Sequence, residues 1–429
     1  MKQVIASAWA ILLGLMLLQV GNSLQGSLMG IRGGIEGFST FQLSLIASAY
    51  FLGFLGGSRM ALMIQRVGHV RVFAALGSFI SAALILYPVV PDPYFWMALR
   101  VIIGFSLSGV YVTAESWLNN SATNETRGQA LSAYMLCQMI GLVLGQGMLN
   151  FGDPGGYILF IIPSVLVSLS FAPILLAVAP TPAFETVKPM SLAALYTRSP
   201  TGFVGMFLLG FVFSAQFGMT AVYGSEVGLS VRDIAILVSA FFVGAIVLQY
   251  PIGWLSDRMD RRRLITGVAA VAALASGLGY LFGEVFEILI LSALLAGGLA
   301  QPLYALLIAY TNDYLDPDEM AAASGGLIFI NGLGAISGPP LVAWLMGAVG
   351  PAGFWLFLAL VLAAIALYCL YRMTVRPSAY AVEAGDYDAV PYAQVLPTAT
   401  PYAVVTAQEL YAEAAEDMAE AQADDNPPG

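Results

Sequence analysis

Ser48-Ala49-Tyr50-Phe51-Leu52-Gly53 returns 191 positions later as Ser239-Ala240-Phe241-Phe242-Val243-Gly244. Gly37-Phe38-Ser39 and Gly228-Leu229-Ser230 keep the same offset, as do Gln25 and Gln216. Further along, Gly104 and Tyr111 match Gly297 and Tyr304 at an offset of 193, and Gln138, Gly141 and Gly145 match Asn331, Gly334 and Gly338 in the same way. A period this long implies two similar halves rather than a solenoid of short repeats. In so apolar a chain, such halves meet around one central site, which points toward transport.

Hydrophobic residues make up 59% of the sequence and charged residues 10%, which excludes an ordinary soluble protein. Apolar runs long enough to cross a bilayer as helices lie at 6–30, 41–64, 72–90, 95–118, 128–150, 156–178, 200–223, 231–254, 264–282, 286–311, 321–346 and 352–373. These runs exceed the ~9–11 residues of a membrane β-strand. The expected fold is therefore an all-α membrane protein, with twelve transmembrane helices in two pseudo-symmetric six-helix bundles. The first run is interrupted by Gln19, Asn22 and Gln25 and lacks a clear cleavage box, so it reads as a span rather than a signal peptide. The expected division is 1–178 for the first bundle, 179–199 for a cytoplasmic linker, 200–376 for the second bundle and 377–429 for a tail.

Lys2, Arg66, Arg71, Arg127, Lys188, Arg198, Arg258, Arg261, Arg262, Arg263, Arg372 and Arg376 fall on or beside one side of these spans, and only Arg32 and Arg232 fall in loops on the other. The positive-inside rule then places both termini in the cytoplasm. The formal charge of −10 comes from the tail: residues 1–376 hold all 16 basic and 16 acidic residues, and the other ten acids follow. The tail reads as a disordered acidic extension, with capping-box spacing at Thr406 and Glu409 ahead of a possible short helix. Cys137 and Cys369 read as small buried apolar side chains.

Between the eighth and ninth spans the chain reads Gly253-Trp254-Leu255-Ser256-Asp257-Arg258-Met259-Asp260-Arg261-Arg262-Arg263. This resembles the G-x-x-x-D-R-x-G-R-[RK] signature of the major facilitator superfamily, with Asp260 in place of a glycine. The first-half counterpart is eroded: Ala61 and Gln65 replace the glycine and aspartate, while Arg66, Gly68 and Arg71 remain. Arg100 and Gly104 resemble the superfamily's helix-four motif. Ala114 to Asn119, Arg127 to Leu131 and residues 301–313 resemble its poorly characterised bacterial YcaD-like branch. The resemblance implies a secondary active transporter of a small organic solute in the bacterial inner membrane, working by alternating access. It brings no substrate with it. Drug exporters of the superfamily carry a glycine-proline motif in helix five; Gly145-Gln146-Gly147 lacks the proline, so direction stays open.

Arginines can bind helix-end carbonyls or carboxylates, so Arg66, Arg71, Arg127, Gly253, Asp257, Arg258, Arg261 and Arg262 form the expected cytoplasmic gate, unless the arginines serve topology alone. On the fourth span Arg100, Gly104, Ser108, Tyr111 and Glu115 fall within roughly an 80° sector, one face of a helix. Ionisable groups on an apolar helix need a wet cavity or partners. Glu115 and Arg100, about 22 Å apart along the axis, are the proton-coupling candidates. The bland alternatives are an Arg100 that snorkels outward past Trp96 and a Glu115 paired with Arg66, Arg71 or Arg127. Their repeat partners are Ala293 and Ile308, so the charges belong to the first half alone.

Gln19, Asn22, Gln25, Tyr111, Tyr134, Gln138, Gln216, Tyr223, Tyr304 and Asn331 are the substrate-cavity candidates, because polar groups inside a bilayer are costly without partners. The expected partners are a small-molecule substrate, protons and lipid, with no nucleic acid, no cofactor and no metal, and the chain is expected to be a monomer. A non-transporting sensor or assembly factor acting through the acidic tail is the alternative reading. A membrane enzyme fits poorly: His69, placed in a loop, is the single histidine, and no metal-spaced cluster or nucleophile–base pair stands out.

Overall fold

Gly37 and Gly228, matched in the repeat, both adopt positive φ, 78° and 77°, a conformation that suits glycine. Each ends a helix, and the serine two residues on begins the next. Ser39 and Gln42 exchange capping-box bonds, with Ser39 N donating to Gln42 Oε1 at 2.9 Å and Gln42 N to Ser39 Oγ at 3.2 Å. Ser230 Oγ likewise accepts from Asp233 N at 3.2 Å. The repeat therefore encodes the same turn twice.

The computed structural model describes residues 2–57, 60, 66–121, 124–176, 190–256, 258–315 and 317–375. Among them the chain is helical throughout, with no strand. The first half holds α1 (Lys2–Ile35), α2 (Thr40–Gly57), α3 (His69–Leu86), α4 (Pro93–Ser121), α5 (Asn124–Met148) and α6 (Ile158–Leu176). A short α7 (Leu192–Arg198) follows. The second half holds α8 (Pro200–Gly218), α9 (Thr220–Glu226), α10 (Val231–Ser256), α11 (Arg261–Leu281), α12 (Phe286–Asn312), α13 (Pro317–Val349) and α14 (Gly353–Val375). Eleven of these helices are long and apolar enough to cross a membrane, and α6 adds a 19-residue apolar helix.

Two expectations gain detail and one changes. The seventh span is not continuous: it breaks at Met219 into α8 and α9, where Met219 N still bonds Ala215 O at 2.9 Å. The linker contains α7, because Ser191 caps its start by accepting from Ala194 N and Ser199 caps the start of α8. Arg198 then pairs with Glu319 of α13 at 3.0 Å. His69 is not in a loop; Gly68 turns the chain at φ 96° and His69 opens α3, buried. The tail expectation falls on 377–429, outside the described residues, as do Arg376, Ala61, Gln65 and Asp257.

Packing repeats with the sequence. In the first half α2 lies on α4, α1 on α5 and α6, and α3 on α4 and α6; in the second, α10 lies on α12, α8 on α13 and α14, and α11 on α12 and α14. Glycines let the paired backbones meet. A Cβ at Gly53 would overlap Val101 O, and one at Gly104 would overlap Tyr50 O. Their repeat partners Gly244 and Gly297 face Leu294 O and Phe241 O in the same way. Gly141 and Gly145 admit α1, and Gly334 and Gly338 admit α8, so all four serve helix packing. The halves meet where α2 contacts α13, α5 contacts α10 and α1 contacts α9.

Candidate functional site

At the end carrying the 36–39 and 227–230 turns the halves close on each other. Gly30 lies against the backbone of Val222, Gly34 faces Ser225, and Thr40 Oγ1 donates to Glu226 Oε1. Below this seal lies a cavity between the halves, about 1160 Å³ including its open mouth.

The first-half wall of the cavity carries most of its polar groups, beside Phe51, Phe54, Leu55 and Leu142. Gln19, Asn22, Ser23 and Ser27 of α1 line it with Gln146 of α5. Ser27 Oγ donates to Gln146 Oε1 at 2.8 Å, and Gln146 Nε2 donates to Ser23 O at 3.0 Å and Ser23 Oγ at 2.7 Å. This lacing fixes α1 against α5 and gives Gln146 the place where the glycine-proline motif was missing. Arg100 of α4 also lines the cavity and is 5% exposed. Its Nη1 donates to Gln25 Oε1 at 2.7 Å, its guanidinium sits 5.2 Å from the Tyr50 ring centroid, and its Nε is buried without a hydrogen-bond partner. Arg100 therefore faces inward rather than snorkelling past Trp96, which is itself fully buried against Tyr87.

The second-half wall is apolar and aromatic: Phe213, Phe217, Val238, Phe242 and Ile328, with Asn331 as its polar member. Asn331 Nδ2 donates to Met206 O at 2.9 Å. Both walls use matched repeat positions, Ala47 with Val238, Phe51 with Phe242, and Leu142 with Ala335.

The other sequence candidates lie off this cavity. Gln25 is one layer back, behind Arg100. Tyr111 donates to Gln19 Oε1 and Tyr134 to Glu115 Oε1, both buried among α1, α4 and α5. Gln138 and Gln216 are buried in the helix contacts. Tyr223 stacks on Phe354 near the sealed end, and Tyr304 packs on Phe213 from behind. A shared helical face is thus no guarantee of a shared cavity: a wide face also covers neighbouring helices. On α4, Gly104 meets α2, Ser108 is buried, and among the described side chains only Arg100 reaches the space. Missed by the sequence reading were Tyr50, Phe51, Phe54, Gln146 and the second-half phenylalanines. The repeat at 48–53 and 239–244 was the available signal for Phe51 and Phe242.

At the opposite end, Asp260 caps α11 by accepting from Arg262 N at 2.8 Å, which explains a carboxylate where the signature has glycine. Arg262 also pairs with Asp260 at 3.0 Å, and Arg258 covers the Trp254 ring, its Nη1 donating to Trp254 O. Arg261 donates to Asp313, at the C-terminal cap of α12, and to Ser256 Oγ at 3.3 Å. These bonds run within the second half. Gly253 is buried in α10, Arg66 and Arg71 are exposed, and the Arg127 side chain lies outside the described ones.

Burial pushes the Asp313 carboxyl up to about 6, with Arg261 pulling the other way. The unfolded carboxyl takes its proton only near 3.8. Between these values the folded state alone is protonated, so stability rises as pH falls through about 6 and levels off below 3.8. Between pH 8 and pH 5 the wild type should gain about 1 kcal/mol over Asp313→Asn. Thermal unfolding of both in detergent checks this; parallel curves would exclude it.

The model of the Major Facilitator Superfamily matches residues 8–231 and 202–399, its second match starting where the second half begins. The chain belongs to this superfamily. Similar relatives are a YcaD protein of Escherichia fergusonii, bearing the name uncharacterized MFS-type transporter, and the like-named YfkF of Bacillus subtilis. The first is 26% identical over 78% of this chain and 88% of its own length, the second 26% over 75% and 84%. Among solved structures, the nucleoside transporter NupG superposes with a TM-score of 0.70 at 16% identity, covering 86% of this chain and all of its own. A bacterial homolog of the human lysosomal transporter Spinster, inward-facing and unoccupied, gives 0.64 at 14% over 94% of this chain and 97% of its own. At these identities the structures share the fold alone. This superfamily member is a multi-pass membrane protein of a transporter family.

Proposed function

We propose that this protein is a secondary active transporter that moves a small organic solute by alternating access, coupled to protons. The observation that carries the reading is the central cavity: sealed at one end, built from both halves, lined by the buried Arg100 of α4, with a second buried ionisable residue, Glu115, farther along the same helix, both absent at the matching positions of the second half. A buried charge in a membrane protein marks a substrate or ion pathway by default. The two bodies that rock are taken as residues 1–178 and 200–376. By the distribution of arginines the sealed end is extracellular, so this state opens its cavity to the cytoplasm. Opening the other way requires Gly30 to part from Val222 and Thr40 from Glu226, while the ends near Arg66 and Arg258 approach. The bonds of Arg258, Arg261 and Arg262 hold the second-half end rigid during that motion.

The test is reconstitution. Proteoliposomes holding the protein are loaded or bathed with labelled solutes, and a pH gradient is imposed. The expected result is solute accumulation that collapses when a protonophore is added. Solute flux that ignores the gradient would exclude proton coupling, and the absence of flux and exchange for every solute class would exclude transport.

A further inference from the structure

The two walls of the cavity differ in chemistry at positions that the repeat makes equivalent. Asn22 matches Phe213, Gly26 matches Phe217 and Ser27 matches Gly218 as repeat partners, and all six line the space. The first half supplies most of the amides and hydroxyls and the one cation, beside Phe51, Phe54, Leu55 and Leu142; the second supplies phenylalanines and branched aliphatics with Asn331. Arg100 is the cationic member of this lining, and among the described residues no acidic one lines the cavity. Among the described residues no carboxylate pairs with Arg100 either: its bonds run to Gln25 and the Tyr50 ring, both neutral, and Nε is left without a partner. A buried guanidinium without a carboxylate partner calls for an anion, and its fork geometry suits a carboxylate or sulfonate. Phe213, Phe217 and Phe242, with Phe51 and Phe54 beside them, offer ring faces and edges to an apolar body.

We infer that the solute is a small amphipathic monoanion, an aromatic ring joined to one carboxylate or sulfonate, bound with its anionic end at Arg100 and its ring against Phe217 and Phe242. A second anionic group would find no further cation in this lining, which sets the class apart from dicarboxylates. The inference rests on the transport reading above and names its substrate class.

Thermal shift of the full chain in detergent tests it, with benzoate, 3-phenylpropanoate and 4-phenylbutanoate as carboxylate probes and benzenesulfonate as the sulfonate. The matched amide, 3-phenylpropanamide, the amine 3-phenylpropylamine and the dianion succinate are the contrasts. At least one aryl anion should bind at least tenfold more tightly than the amide, the amine and succinate, which follows from the wild type alone and needs no variant. Arg100→Gln should weaken that anion at least tenfold and leave the amide within about twofold. Phe242→Ala should weaken both aryl ligands alike. Equal or tighter binding of the amide or amine overturns the class, and so does a panel in which no aryl anion binds. If proteoliposomes accumulate another solute while aryl anions fail, transport stands and the substrate class falls. If aryl anions bind through Arg100 but nothing crosses the membrane, the class stands and transport falls.

Discussion

Gly104→Val is expected to leave no monodisperse folded protein in detergent. Gly104 sits where α4 crosses α2, and a Cβ there would overlap Tyr50 O and approach Phe54 N. Both obstacles are backbone, so no rotamer change relieves them. The helices must separate, and the reciprocal contact of Gly53 with Val101 O opens with them. Overpacking a core costs about 1–3 kcal/mol when side chains can adjust, and a backbone clash with a branched residue exceeds that range. Gly297→Val should behave alike, because Phe241 O and Phe241 Cα stand in the equivalent place. Gly26→Ala is the control: nothing lies within 4 Å of its added methyl, and alanine favours the helix by about 1 kcal/mol. Fluorescence-detected size exclusion separates the outcomes. A normal profile for Gly104→Val would mean the α2–α4 crossing is not as close as described.

The same crossings show what was legible in the chain. Apolar run lengths located the spans to within a few residues, because a bilayer demands a helix of fixed length and the backbone has no other way to satisfy itself there. The repeat located the turns, since Gly37 and Gly228 need one unusual conformation and Ser39 and Ser230 one kind of cap. The cavity was harder. In a soluble protein an apolar residue is buried by default, but here apolar residues face lipid, neighbours and cavity alike. Phe41 and Phe79 are exposed at 54% and 58%, while Phe213 and Phe242 line the central space, and composition does not separate them. Polarity misled in the opposite direction. Tyr111, Tyr134 and Tyr304 were selected as polar groups in apolar helices, yet each satisfies a neighbour or fills a helix contact. The register of the repeat marked Phe51 and Phe242, which line the cavity in both halves, but it equally matched Tyr111 with Tyr304 and Gln25 with Gln216, which lie off it.

Glu115→Gln should abolish uphill accumulation and preserve solute exchange. Glu115 is 4% exposed on α4 and accepts from Tyr134 Oη of α5. One turn along the same face, Tyr111 donates to Gln19, which lines the cavity, so the carboxyl lies about one helical turn from a side chain bonded to the cavity wall. Glutamine keeps the shape and can still accept from Tyr134, but it carries no exchangeable acidic proton. If Glu115 is the carrier, the variant still rocks with solute bound, and labelled solute exchanges across the membrane at a rate near that of wild type. What disappears is the link to the gradient. One proton moved with each solute monoanion is electroneutral, and a gradient of two pH units then supports an accumulation of about 100-fold, since each unit is worth about 1.36 kcal/mol. In the variant that ratio should fall to about one. A purely structural Glu115 predicts a different pattern, in which exchange and accumulation decline together and Tyr134→Phe, which removes the same hydrogen bond, reproduces the loss. Accumulation by Glu115→Gln equal to that of wild type would rule out the carrier role and move the search for the coupling group elsewhere in the protein.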